Sequence, residues 1–208
     1  LNVLSLQESK GLDLDELATH LAPFGVERGT IKALLDTFEH AKTFGSLIQI
    51  PDALNAQLTM LVEALGKANE TGDLYAQAAA QDLLPLLEQA QVLGRKFDAV
   101  VANPPYMGAR YYDAPLKRLV EAYYKQARGD LYTCFMVRSS VFSETGGIVG
   151  MITIPNWMFL SSFEDLRDWL FNKATIETFS HNGRGVFGSD FGSCAFTFRH
   201  SVLPEFKG

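Results

Sequence analysis

The sequence predicts an α/β fold, an open sheet with a largely helical region ahead of it. Two observations carry this. Apolar residues recur at helical spacing through residues 12–95, and from Phe97 onward short β-rich runs alternate with helical patterns. Alternation of that kind points to strands with crossover helices, and such sheets bind ligands at the carboxyl ends of their strands.

In the first half, Leu14, Leu17 and Leu21 mark one helix, and Ile31, Leu34, Leu35 and Phe38 a second with Thr30 as its candidate cap. Phe44 to Pro51 breaks the pattern with Gly45 and Pro51. A third helix carries Leu54, Leu58, Leu61, Val62 and Leu65 on one face. A fourth, rich in alanine, runs from about Gly72 to Leu93, and Pro85 within it predicts a kink or a boundary.

In the second half, Phe97 to Ala102 is a candidate buried strand. Helices are expected over Leu116–Gln126, with Leu119, Val120 and Tyr123 inward, and over Leu131–Ser143. Strands are expected at Ile148–Ile154, Ile176–Phe179 and Cys194–Phe198, with a helix starting at Ser162 before the last two. The division is therefore 1–95, a helical insertion or linking region, and 96–208, the sheet-bearing region.

Bulk properties exclude several classes. Hydrophobic residues make up 47% and charged residues 20% of 208, an ordinary globular balance that can bury a core. Two distant cysteines, Cys134 and Cys194, give neither a disulfide framework nor a zinc pattern, and suggest a reducing, cytoplasmic setting. His20, His40, His181 and His200 show no metal-ligand spacing, so no metal is expected. No apolar run reaches the roughly 18 residues of a membrane span. The net charge of −6 argues against a strong general grip on nucleic acid by this segment alone. Leu1 in place of Met suggests a piece of a longer protein.

The chemistry concentrates in Asn103-Pro104-Pro105-Tyr106, directly after the first strand. A structural Pro-Pro turn is one reading. The other is a site for an exocyclic amine. Two prolines fix φ and remove two backbone donors, so the loop presents carbonyl acceptors. Asn103 adds a neutral side-chain carbonyl. Together they can accept both hydrogens of an NH₂ group and turn its lone pair toward an electrophile. Tyr106 offers a flat face for a base, worth roughly 1–3 kcal/mol. Rigid alignment would supply much of the rate.

This motif resembles the catalytic motif of amino-methyltransferases acting on adenine N6 of DNA. The order of later segments resembles the gamma-type members. Asp130-Leu131-Tyr132-Thr133-Cys134-Phe135 looks like their following helix, Gly146 to Asn156 like their G-G-x-x-x-x-I-x-P-N strand, and Leu166 to Leu170 like the next helix. Asn103-Pro104-Pro105-Tyr106-Met107-Gly108, Phe44 to Ile48 and Cys194 to Arg199 are similar to the adenine methyltransferases of BREX phage-defence systems, PglX type. The resemblance covers roughly 97–200. It implies a partial Rossmann-like S-adenosylmethionine-dependent methyltransferase sheet, a flipped adenine in double-stranded DNA as substrate, and other defence proteins as partners. It implies Asn103 and Pro104 as the groups orienting N6, and Tyr106 and Phe187 as the pair sandwiching the base.

One departure stands out. The family seats the methionine end of its cofactor on a Gly-rich loop with an aspartate, and residues 1–208 contain none. The cofactor half is expected upstream, leaving the fragment alone inactive; Asp82 is the candidate contact to the cofactor's adenine, with a plain surface acid as the other reading. Lys117, Arg118, Lys125 and Arg128 form a basic cluster, either contacting phosphate or simply solvated. Asp130 either holds the motif loop or caps its helix. Two other functions stay open: methylation of a protein glutamine amide, which poses the same geometric problem, and a non-catalytic interaction module of a defence complex.

Overall fold

The computed structural model describes residues 3–186 and 192–201. The chain divides into two compact units, Leu1–Arg95 and Lys96–Gly208.

The first unit is helical: α1 (Leu14–Leu21), α2 (Arg28–Phe38), α3 (Ala41–Phe44), α4 (Asp52–Asn55), α5 (Leu58–Asn69) and α6 (Leu74–Leu93). Asp13 starts α1 by accepting from the amides of Asp15 and Glu16, both at 2.9 Å. Asp73 does the same for α6 through Tyr75 and Ala76. Each cap satisfies amides that have no partner inside the helix. Leu17, Leu21, Ile31, Leu34, Phe38, Leu61, Leu65 and Leu83 form the core of this unit.

Four details differ from the sequence reading. Thr30 does not cap α2; Glu27 holds that position, and the Thr30 hydroxyl donates to Gln57 Oε1 instead. The expected third helix is two, α4 and α5, separated by a turn in which the Gln57 amide reaches back three residues to the Leu54 carbonyl. The buried register of Leu54, Leu58, Leu61 and Leu65 survives the turn, while Val62 is exposed. Pro85 makes no boundary, because α6 runs through it. A mid-helix proline costs about 3 kcal/mol. Burial on both sides, of Ala79, Ala80 and Leu83 before it and Leu86, Leu87 and Ala90 after it, offsets that cost.

The second unit is α/β. It contains β1 (Phe97–Ala102), α7 (Ala114–Tyr123), α8 (Leu131–Phe142), β2 (Ser143–Thr153), α9 (Glu164–Lys173), β3 (Thr175–Gly183) and β4 (Ser193–Arg199). The sheet order is β1-β2-β4-β3. β1 and β2 are parallel, with Val101 opposite Gly150, while β2–β4 and β4–β3 are antiparallel. Gly147 sits where β2 passes the Asp98 carbonyl; a Cβ there would lie 3.0 Å from that oxygen and 2.5 Å from Ser143 Oγ.

Burial alternates along β2 and β4. Val149, Met151, Phe196 and Phe198 face inward, and α8 packs on β1 and β2. The opposite face is only partly covered among the described residues. A groove of 420 Å³ runs across it, bordered by Val101, Asn103, Ile152, Thr178 and Ala195 among others. β1 is consequently not the buried strand its composition predicts. It is an edge strand, and Val101 is 87% exposed. An apolar run predicts a strand, but burial depends on what packs against it.

α8 is buried nearly all round. Two of its polar side chains find internal acceptors: Thr133 Oγ1 donates to the Ala127 and Asp130 carbonyls, and Cys134 Sγ to the Ala127 carbonyl. Among the described residues no helix is long and apolar enough to cross a membrane.

Candidate active site

Asn103-Pro104-Pro105-Tyr106 forms the loop leaving the carboxyl end of β1. Pro104 is buried, whereas Asn103, Pro105 and Tyr106 are exposed. The loop is therefore anchored at one proline and presents its side-chain acceptor and its ring to solvent. Asn103 borders the open sheet groove. No peptide bond of the described chain is cis.

What fixes the loop is Asp130. Its Oδ1 accepts from the Met107 amide at 3.0 Å and from the Tyr132 amide at 3.4 Å. One carboxylate oxygen therefore caps α8 and ties down the residue after Tyr106. The backbone adds a second tie, since the Leu131 amide donates to the Met107 carbonyl at 3.0 Å. The Ala109 amide donates to the Gly129 carbonyl at 3.2 Å. The two readings of Asp130, loop holder and helix cap, are one arrangement.

The Tyr106 ring meets Tyr132 edge-on, with centroids 5.7 Å apart, and its hydroxyl reaches the Ile152 carbonyl at a long 3.4 Å. Partial burial raises the Tyr106 pKa, and Cys194 and Asp130 nearby raise it further. Burial, then Asp130, pushes Tyr132 up as well. Both phenols are neutral near pH 7, so the site presents neutral acceptors and aromatic faces. Tyr132 in turn packs against Phe163 at 6.0 Å. Beyond β2, the Pro155–Met158 turn buries Trp157 against Phe196 at 5.2 Å. Arg167 pins this turn by donating to the Trp157 and Leu160 carbonyls, both at 2.8 Å.

A loop of this composition at the end of a strand is suited to holding an amine by its hydrogens. Comparison with known proteins identifies the family. The description "Eco57I restriction-modification methylase" matches residues 10–187. The chain belongs to that family. It is 35% identical to the adenine-specific methyltransferase BrxX of Escherichia coli O9:H4 (strain HS), over all of this chain and 19% of that protein. It is 28% identical to the adenine-specific methyltransferase PglX of Lacticaseibacillus casei (strain Zhang), over 96% of this chain and 17% of that protein. The chain thus spans less than a fifth of the length of these relatives. A solved class I S-adenosylmethionine-dependent methyltransferase from Listeria monocytogenes covers 95% of this chain and is itself covered to 72%, at 13% identity and a TM-score of 0.45.

Within this Eco57I-family chain, the structure brings Asn103, Pro104 and Tyr106 into one anchored loop. Asp82 is exposed on α6, in the helical unit. Phe187 lies outside the described residues. Tyr123, expected inward, is 48% exposed, and Tyr124 is fully buried in its place. The spacing explains this: Leu116, Val120 and Tyr124 fall on one face at intervals of four. Tyr132 lies inside the Asp130-Leu131-Tyr132 run and Arg167 inside the Leu166–Leu170 run, and Phe163 stands at helical spacing from Leu166 and Leu170, so the sequence marks all three; it does not show their contacts, which act across the fold.

Proposed function

We propose that this chain carries the target-amine side of a site-specific adenine-N6 DNA methyltransferase of a restriction-modification or BREX-type phage-defence system. The carrying observation is the anchored loop: Asn103 and Tyr106 are exposed while Asp130 holds Met107 directly behind them. The adenine-specific names of the two relatives favour adenine in DNA over a protein glutamine amide.

In this reading Asn103 Oδ1 and the Pro104 carbonyl accept the two N6 hydrogens of a flipped adenine. That draws the nitrogen lone pair out of the ring and aims it outward. Tyr106 stacks on one face of the base and Phe187 on the other. A hydroxyl at Tyr106 is not needed for this, since its bond to Ile152 is long. Asp130, the carboxylate nearest the loop, is engaged with the Met107 and Tyr132 amides, and the amine in this reading needs no base once its hydrogens are held.

Membership in a methylase family implies S-adenosyl-L-methionine as donor, which supplies an electrophilic methyl group. Its methionine end does not fit the residues present: 1–208 hold no Gly-rich loop with an aspartate, and the groove beside Asn103 is bordered largely by apolar and small side chains. Asp82 is the proposed contact to the donor's adenine, and its exposure leaves it accessible.

The test uses the full-length protein with labelled methyl donor, offered duplex DNA and a glutamine-containing peptide together. Label on DNA supports the reading. Label on the peptide supports the amide alternative. Label on neither, with a folded protein, supports the interaction module.

A further inference from the structure

Charge is unevenly distributed in this chain. The whole carries −6, yet Gly108 to Arg128 holds five cations, Arg110, Lys117, Arg118, Lys125 and Arg128, against Asp113 and Glu121. Asp113 is engaged as the cap of α7, accepting from the Leu116 amide at 2.8 Å. Glu121 lies one turn after Lys117 and forms no ion pair with it. Among the described residues none of the five cations pairs with a carboxylate; Arg110 lies over the Tyr111 ring at 4.6 Å. All five are exposed.

Two of them line one cleft. A depression of 360 Å³ is lined by Lys117 and Arg128 and by one carboxylate, Glu121, together with Tyr112, Gly129 and the hydroxyl-bearing Ser162. This cleft is tied to the motif loop. Ala109 and Gly129, both in its wall, are joined by a backbone hydrogen bond, and the neighbouring residues Met107 and Asp130 are joined through the Asp130 carboxylate. The backbone next to Arg128 is thus held in fixed relation to the motif loop.

We propose that the Lys117–Arg128 cleft binds a backbone phosphate of the DNA strand flanking the target base. The inference rests on the DNA reading given above. Exposed cations without a carboxylate partner among the described residues, in an otherwise acidic chain, line a cleft that shares Ala109 with the segment leaving the base-presenting loop. Arg128 can give two parallel donors to one phosphate, and Lys117 a point charge. Such contacts position the duplex and carry no sequence information. The acidic remainder of the chain steers the strand toward this face.

The experiment measures duplex binding by the full-length protein across a range of salt concentrations. It compares wild type, the double variant Lys117→Gln/Arg128→Gln, the swap Lys117→Arg/Arg128→Lys, and Lys67→Gln on α5 as a control. Each lost phosphate contact should flatten the slope of log affinity against log salt by about 1. The double variant is expected to be shallower by about 2, equally for cognate and non-cognate duplexes, with KM for DNA raised and kcat retained. The swap and the control are expected to keep the wild-type slope. An unchanged slope in the double variant, while wild type still methylates DNA, overturns the phosphate site alone. A wild type that neither binds nor methylates DNA overturns the DNA reading and this inference with it.

Discussion

Asp130 joins two structural duties in one oxygen, and the consequence is testable. Asp130→Ala removes the acceptor for both the Met107 and Tyr132 amides. Loss of a cap and a loop tie is expected to cost about 1–2 kcal/mol of stability. Asp130→Asn keeps Oδ1 as an acceptor and should retain most of it. Denaturant titration checks the stability order, and methyl transfer by the full-length protein should follow it, because the loosened loop misplaces Asn103. Equal stability of all three would show that Asp130 does not anchor the loop. The site's chemistry was legible at this scale because Asn-Pro-Pro-Tyr encodes its acceptors locally. The contribution of Tyr132 was not, because an edge-on ring contact depends on a partner 26 positions away.

Elements carry the positioning. The stretch that ties the motif loop to α8 requires Gly129 for a steric reason: a Cβ there would lie 2.8 Å from Phe163 Cε1, a buried ring atom that cannot swing aside. Gly129→Ala is expected to destabilise by about 1–3 kcal/mol. Gly66→Ala within α5 meets nothing within 4 Å and should stabilise by about 0.4–1 kcal/mol. Thermal melting of the two variants should move in opposite directions, and movement in the same direction would contradict the packing described for Gly129. The elements themselves were largely readable from periodicity. Their ends and surroundings were less so. Periodicity marks β1 as a strand, but no pattern within six residues tells a buried strand from an exposed edge. Pro85 reads as a break because its cost is local, whereas the burial that offsets it lies along the whole of α6.

At the scale of the whole molecule, buried phenols link stability to pH. Burial raises Tyr112 and Tyr132 well above the ordinary value of 10.0. Their neutral forms are therefore favoured by the fold. That contribution is complete below about pH 10 and is lost as pH climbs from there toward the folded values. Cys134, raised by burial above its ordinary 9.0, adds an earlier loss of the same sign, so the melting temperature is expected to fall from about pH 9 and more steeply above about pH 10, and Tyr132→Phe should blunt the steeper part. A thiol probe should agree: burial pushes Cys134 up to about 12, so it should react slowly in the native state. A chain with −6 net charge nevertheless presents Lys117 and Arg128 in a cleft tied to the motif loop, and presents Asn103 at the border of an open sheet groove. Charge and exposure thus converge on one region of the α/β unit.

The central claim is that Asn103 holds the amine that receives the methyl group. It is tested most directly by comparing wild type and Asn103→Ala in the full-length protein, with labelled donor, duplex DNA and identification of the labelled base. The account predicts label on adenine N6 with wild type, none above background with Asn103→Ala, and the same melting temperature for both. Retained methylation by Asn103→Ala would contradict it.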